Sequence, residues 1–373
     1  MRQAFLLATG LLWFGFVQAQ WNMNTSVNLE LAALPTADMH SLTTTDGKTW
    51  IAFYHNNAGN YDMRAQLLDV NGYKLLGPNG MLVGNKPSGS ATYVFNICKD
   101  ASDNLIIAYQ DQRSGGTNNA VIYKISQAGT QLWGPDGIVL GQGLAPYPAA
   151  LSNGETIVAW NESVSNTLSL QKITVGGTTA WGTPVSVTVG ASLTTRGQPV
   201  PNLAGTFNLI FQKRLSGINT NLYSLRYDNN GTPLWGAAVQ LGTEATAGVR
   251  YYSVAAENDT TYCGYYSSPS SRFNSWLQRI NADGTIPYGI NGSNFNTSTA
   301  AGDPYQQTTN IALNPDPLMY GQCVHSAIHC KASMGYMYRN SKNQMVHASL
   351  EQRHLMCIPS VSVLIPRLEM FHC

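Results

Sequence analysis

The sequence predicts an all-β chain made of one small unit repeated. Three observations predict it. Charged residues make up only 11 % of 373 residues, against roughly 25 % in ordinary soluble domains. The polar surface therefore has to come from Asn, Thr, Ser, Gln and Gly, which favour turns and strand faces over helices. No long apolar stripe with helical period runs through the first 313 residues. Finally, an ordered set of landmarks recurs about every 50 residues, and it is clearest in Asp103 to Leu140.

The first landmark is an aromatic residue closing an apolar run: Phe53, Tyr109, Trp160, Phe211 and Tyr265. The second is an apolar residue four positions before a turn glycine: Leu68, Ile125, Ile173, Tyr227 and Ile280. The third is that glycine, followed by a large side chain and another glycine: Gly72 to Gly77, Gly129 to Gly134, Gly177 to Gly182, Gly231 to Gly236 and Gly284 to Gly289. Runs such as Leu105 to Tyr109 suit strands buried on both faces. Asn71, Asn230 and Asp283 before the glycine tolerate positive φ, so these positions predict tight hairpin turns. The Trp after the turn predicts packing between neighbouring sheets. A further strand fits before each aromatic run, as at Thr92 to Ile97. Four strands in such a length is one blade of a β-propeller.

The expected architecture is thus a β-propeller of four-stranded blades, with five repeats visible and the start of a sixth, followed by an irregular C-terminal tail. The repeats fall at about 40–90, 91–145, 146–194, 195–248 and 249–300, with a partial copy at 301–316. Residues 1–19 read as an export signal: Arg2, then an apolar core from Ala4 to Phe16, then Val17-Gln18-Ala19. A secreted or cell-surface protein, extracellular or periplasmic, is expected, with no membrane span after signal removal. Val27 to Leu31 is expected to be a closing strand that completes the last blade and leaves no free edge.

The units resemble the secreted β-propeller repeat proteins of Bacteroidota, on Tyr109-Gln110-Asp111-Gln112-Arg113 and Gly129 to Gly134. The other copies depart from that pattern, with His55, Glu162, Lys213 and Ser267 in the place of Asp111. The resemblance covers about Val27 to Leu313 and implies a propeller rather than an activity. Such proteins often end in a sorting domain for the type IX secretion route, and none is found here.

The tail, 317–373, breaks the pattern and holds four of six Cys and five of seven His. Three readings stay open. A reading-frame shift near codon 317 is the favoured one. A metal site at Cys323, His325, His329 and Cys330 is the second, with the two His at i, i+4 sharing a helix face. A disulfide-linked appendage is the third. Metal and catalytic residues are otherwise assigned to none. Cys98 and Cys263 read as strand residues in different blades, Cys263 as a small buried apolar group. Thr44 to Trp50 reads as a plain Asp-Gly turn, and Asp69 to Gly72 and Asp228 to Gly231 as side-chain-capped turns. Asp111 and Arg113 read as a pair fixing a blade corner. Asp62, Asp111, Glu162 and Glu257 are acidic candidates scattered one per blade.

A net charge of +1 offers no basic face, so nucleic acid is excluded as a partner. No cofactor is expected. The expected function is a non-catalytic surface recognition or scaffold module with a glycan or protein ligand. The alternative is a carbohydrate-active enzyme, a glycoside hydrolase or lyase, on the same scaffold. Two carboxylates facing one cleft would be its signature.

Overall fold

A computed structural model of the protein describes residues 29–89, 94–162, 167–190, 194–216, 219–244, 246–247, 252–267, 274–294, 308–313, 328–333, 336–339 and 345–348. The expected export signal lies outside them. The described chain is all-β, with a single 3-10 turn at Leu203–Gly205. No helix among the described residues is long and apolar enough to cross a membrane. The chain divides into two compact units, Met1–Val139 and Leu140–Cys373.

The first unit opens with an antiparallel sheet of β1 (Thr36–Thr43), β2 (Thr49–Asn57), β3 (Asn60–Leu68) and β4 (Met81–Gly84), in that order. The second copy supplies β5 (Asn96–Lys99), β6 (Leu105–Asp111) and β7 (Asn119–Ile125). Every residue of β6 and β7 is buried, as their unbroken apolar runs predict. Trp50, Tyr54, Met63 and Leu67 of the first sheet share one core with Phe95, Leu105, Tyr109 and Tyr123 of the second. Each such side chain contributes about 1.5–3 kcal/mol by leaving water.

The next strand, β8 (Ile138–Ala150), is thirteen residues long and spans the point where the chain divides. Beyond it come β9 (Thr156–Glu162), β10 (Leu168–Ile173) and β11 (Val185–Val187). The strand path through β8 therefore has seven members, β5 to β11. This corrects the expectation of uniform four-stranded blades: no turn interrupts 138–150, so the outer strand of one copy continues as the first strand of the next. The fourth copy has β12 (Thr194–Pro201), β13 (Phe207–Ser216), β14 (Asn219–Tyr227) and β15 (Val239–Gln240), and a short β16 (Thr246–Ala247) also pairs with β14. The fifth has β17 (Tyr252–Glu257), β18 (Thr260–Ser267), β19 (Asn274–Ile280) and β20 (Ser293–Asn294).

A strand, β21 (Thr308–Leu313), falls on the stretch read as the opening of a sixth copy. Ile311 packs on Tyr262 and Leu277 of the fifth sheet. β21 pairs in full register with β22 (Ile328–Ser333), from Thr308 opposite Ser333 to Leu313 opposite Ile328. A separate hairpin joins β23 (Tyr336–Arg339) and β24 (Met345–Ala348). The segment read as an irregular tail thus contains three strands. The closing strand is also corrected. Leu29, Glu30 and Leu31 lie in no strand, while Val27 lies outside the described residues. Leu31 and Ala32 instead pack against Ile51, Phe53 and Leu68 of the first sheet.

The turn glycines adopt φ from +79° to +87° at Gly72, Gly129, Gly177, Gly231 and Gly284. After each of the first four, the chain makes one isolated bridge rather than a full hairpin strand: Leu68 with Lys74, Ile125 with Gln131, Ile173 with Thr179 and Tyr227 with Pro233. Asp69 and Asp228 cap their turns, each carboxylate accepting two backbone N–H groups at 2.8–2.9 Å. The Thr44 to Lys48 turn closes similarly, with Gly47 N–H on the Thr44 carbonyl at 3.2 Å. Lys48 and Thr44 hold the Asp46 carboxyl at about 2.

At three joints the side chain four residues past one turn glycine lies against the turn glycine of the following copy. A methyl placed on Gly129 would stand 3.1 Å from Leu76 Cδ2. One on Gly231 would stand 2.9 Å from Val185 Cγ2 and 3.1 Å from the Trp181 ring, and one on Gly284 would stand 3.2 Å from the Trp235 ring. Gly289 has the same kind of backbone, φ +73°, but nothing within 4 Å of such a methyl. Gly289→Ala should therefore cost only about 1 kcal/mol, from the left-handed backbone. Gly231→Ala should cost a further ~1–3 kcal/mol from overpacking. Urea midpoints of the two variants check this, and equal losses would refute the interlock.

A feature invisible to the landmark search precedes the second landmark. Four of five copies place a cation there: Lys124, Lys172, Arg226 and Arg279. Lys124 Nζ meets Asp100 Oδ2 at 2.7 Å, with both side chains buried. Lys172 meets Glu155 at 3.2 Å, and Arg226 pairs with Asp259. Burial alone would raise the Asp100 pKa, but hydrogen bonds from Lys124 and Asn104 outweigh it, and the net shift is downward. Asp103 behaves alike, with burial opposed by Lys99 and Thr45. A carboxyl lowered in the folded state stabilises the fold above its ordinary pKa, and that stabilisation is lost as pH falls through the folded value. Chemical stability of the protein should therefore drop as pH falls below about 4. Lys124→Met at neutral pH should cost about 3–5 kcal/mol by stranding a buried carboxylate, and adding Asp100→Asn should recover part of it. Equilibrium unfolding of the single and double variants reads this.

Candidate functional site

The first unit holds an open cavity of about 330 Å³, lined by Leu29 to Ala32, Thr36 to Met39 and Phe53. Its volume lies at the lower end for ligand pockets. Of the lining residues, Phe53 is buried, while Leu29 and Met39 are exposed. Two carboxylate-bearing residues line it, Glu30 and Asp38.

The local fold explains why Asp38 is there. In the pairing of β1 with β2, Ala37 faces Tyr54 and Met39 faces Phe53, so Asp38 is an extra residue in a β-bulge. Its φ is +44°, the left-handed region, and its own carboxylate accepts the Met39 N–H at 2.8 Å. Asp is among the few side chains that tolerate this backbone. His40 Nε2 lies 3.8 Å from Asp38 Oδ2, and the His40 ring packs at 4.3 Å on Phe95. Next along the sheet, His55 sits between Thr36 of β1 and Asp62 of β3. Its Nδ1 is 3.7 Å from Asp62 Oδ2, and Asn57 and Asn60 donate to the Asp62 carboxylate at 3.1 and 2.7 Å.

The bulge recurs at a fixed place in the repeat. Asp38, Ala145 and Arg196 all have positive φ, +44°, +51° and +56°. Each falls at a register shift in the first strand of its copy. Each stands 15 residues before an aromatic landmark: 53 − 38, 160 − 145 and 211 − 196. In the second copy that offset falls on Val94, next to residues outside the described set, and in the fifth on Arg250, itself outside it.

The sequence-predicted candidates end up elsewhere. Asp111 is 1 % exposed and takes a bidentate grip from Arg113, Nε to Oδ1 at 2.9 Å and Nη2 to Oδ2 at 2.7 Å. Arg113 also reaches the Tyr123 hydroxyl and the Asp136 carbonyl, so the pair does fix a corner. Glu162 accepts the Ser169 hydroxyl at 2.7 Å, and Glu257 ends β17. Asp62, Asp111, Glu162 and Glu257 thus serve separate strands, and none lines the cavity. Cys263 is fully buried, which pushes its thiol pKa up. Of the tail cluster, Cys323 and His325 lie outside the described residues. His329 and Cys330 fall on β22, a strand and not the helix that an i, i+4 pair needs. Among the described residues no three His, Cys, Asp or Glu side chains gather as metal ligands.

Sequence reasoning missed Glu30 by reading 27–31 as a strand, and missed Asp38 because a bulge adds no residue type of its own. The usable signal was the constant offset to the aromatic landmark.

No protein family and no curated protein matches the chain. Solved structures do resemble it at the level of fold. An α-L-arabinanase of Penicillium chrysogenum complexed with arabinobiose is 12 % identical, over 84 % of this chain and 92 % of its own, with a TM-score of 0.46. The polysaccharide lyase Uly1 is 9 % identical over 87 % and 83 %, with a TM-score of 0.46. A protein of unknown function from Dyadobacter fermentans is 12 % identical over 80 % and 91 %, with a TM-score of 0.45. Other similar structures are described as family-43 glycoside hydrolases and an α-L-arabinofuranosidase. The expectation of a non-catalytic recognition module is corrected on this finding, since the similar structures are mostly carbohydrate-active enzymes. At these identities none of them fixes a residue or a substrate here.

If Asp38 is kept for its side chain and not for the fold, glycine should replace it without loss. Asp38→Gly should leave the urea midpoint unchanged or raise stability by up to about 1 kcal/mol, because glycine adopts positive φ freely. Asp38→Val should destabilise by about 2 kcal/mol at the same backbone. A glycine variant as unstable as the valine variant would show that the carboxylate is structural.

Proposed function

We propose that the chain is a carbohydrate-active enzyme, a glycoside hydrolase or lyase, whose acid–base carboxylates are Asp38 and Glu30. The observation that supports it is their placement: two acidic residues are among those lining one cavity, and one of them rides on a positive-φ bulge. Strain of that kind costs about 1–3 kcal/mol and clusters at functional sites. The chemistry matches the residue types. Cleaving a glycosidic bond needs one carboxyl to deliver a proton to the leaving oxygen and a second to activate water or attack. Cleavage by elimination needs a base to remove a proton and an acid to protonate the leaving oxygen. His40 beside Asp38 can supply or relay a proton. Export through residues 1–19 would bring the enzyme to polysaccharide outside the cell.

Asp38→Asn and Glu30→Gln should each lower release of reducing ends from arabinan, xylan or polyuronate by about 10²–10⁴-fold with little change in thermal midpoint. Full activity in both variants would sink the assignment. An equal loss in Asp62→Asn and Asp111→Asn, with the cavity variants active, would move the site elsewhere.

A further inference from the structure

We infer that Asn79 is the positioning residue of the cavity: its side-chain oxygen fixes where the segment carrying Glu30 lies over the first sheet. The inference rests on the reading above, in which Glu30 is an acid–base carboxylate, and adds what holds it. Glu30 belongs to no strand, so no ladder of backbone hydrogen bonds sets its place. Contacts just after it do so instead. The Ala33 N–H donates to Asn79 Oδ1 at 2.9 Å, and the Asn56 N–H donates to the Pro35 carbonyl at 2.9 Å. Between Glu30 and Ala33, Leu31 and Ala32 pack on Ile51, Phe53 and Leu68. Asn79 is thus the side chain that ties this segment to the outer turn of the sheet.

The turn that presents Asn79 is itself held. Arg64 grips it twice, Nε to the Asn79 carbonyl at 3.0 Å and Nη2 to the Gly80 carbonyl at 2.9 Å. Gly80 N–H donates to the Gly77 carbonyl at 3.4 Å. Gly80 has φ +68°, and a methyl on it would stand 2.6 Å from the Ala65 carbonyl oxygen. The same turn recurs, and so does its reach. Gly137 and Gly292 donate to Gly134 and Gly289 at 3.3 and 3.2 Å and have φ of +62° and +82°. A methyl on either would strike the carbonyl oxygen of the matching third-strand residue, Ile122 or Leu277. Asp136, before Gly137, meets Lys86 Nζ at 2.7 Å. Asn291, before Gly292, accepts the Thr243 N–H at 2.7 Å. Lys86 lies between β4 and β5, and Thr243 between β15 and β17. In the first, second and fifth copies, then, the Asn or Asp of this turn clasps the chain arriving at its own copy. In the first copy that arriving chain lines the cavity, so the clasp there sets a functional position.

The test uses the full chain and two readouts. Hydroxyl-radical footprinting reads the segment directly, because Leu31 and Ala32 pack on the buried Phe53. Asn79→Ala should raise Phe53 oxidation several-fold. Asn79→Asp, which keeps the acceptor as Asp136 does in the second copy, should hold it at the parent level. Asp136→Ala, which breaks the same clasp in the second copy, should leave Phe53 protected. Cleavage is then read on whichever of arabinan, xylan and polyuronate the parent cleaves. Asn79→Ala should lower kcat by about 10²-fold with KM little changed, the effect of misplacing a reacting group by about 1 Å, and Asn79→Asp should recover most of it. Unchanged Phe53 oxidation in Asn79→Ala would overturn the inference. So would an equal rise in Asp136→Ala, a failure of Asn79→Asp to recover the parent values, or full kcat in Asn79→Ala with Phe53 exposed. Phe53 protection that depends on Asn79, in a protein that cleaves none of these glycans or that stays fully active as Glu30→Gln, would uphold the clasp and overturn the catalytic reading.

Discussion

The contact between one copy's large side chain and the next copy's turn glycine is the constraint on which the repeat depends. Leu76 on Gly129, Trp181 on Gly231 and Trp235 on Gly284 are the same contact made three times. The glycine serves twice at each position. It takes a φ near +80° that a branched residue would resist, and it offers no methyl to hold the aromatic ring away. Trp235 adds a hydrogen bond from its indole N–H to the Ala282 carbonyl at 3.0 Å, two residues before Gly284. The two landmarks co-occur in the sequence because each is half of a joint completed by a neighbouring copy.

This explains how much of the fold was legible. A joint made of a large side chain and a glycine leaves two conspicuous letters in every copy, and a doubly buried strand leaves an apolar run. Those features survive in a single sequence, and β6, β7 and β9 lie where the runs predict. What was illegible lacks such a residue signature. Nothing in Ile138–Ala150 marks a strand that carries on from one copy into the next, because Gly141, Gly143, Pro146 and Pro148 read as turn residues. Val27 to Leu31 alternates like a strand, yet Leu31 buries itself on Ile51 and Phe53 without pairing. A period-2 pattern records which side chains seek cover and not what covers them.

The buried cations are a signal that lies outside the three landmarks. In a chain so poor in charge, a cation at the same place in four copies is informative. Lys124 reaches Asp100 and Lys172 reaches Glu155, each acid lying in the turn between the first two strands of its copy. Arg226 reaches instead to Asp259 of the following copy. Such pairs add little net stability against an apolar alternative, but losing one partner is costly. Each ties one turn to one strand.

The site was legible least of all, for a related reason. A repeat spends its conserved-looking letters on the joint, and function has to use positions the joint leaves free. The bulge is such a position, because it is extra to the strand ladder. The three described copies fill it with Asp38, Ala145 and Arg196. If the bulge served only to bend the strand, one residue suited to positive φ would do in every copy. An acid, a methyl and a cation at the same place show instead that the bulge constrains the backbone and leaves the choice of side chain open. The strain is shared by all three, and the chemistry differs because the backbone work is the same.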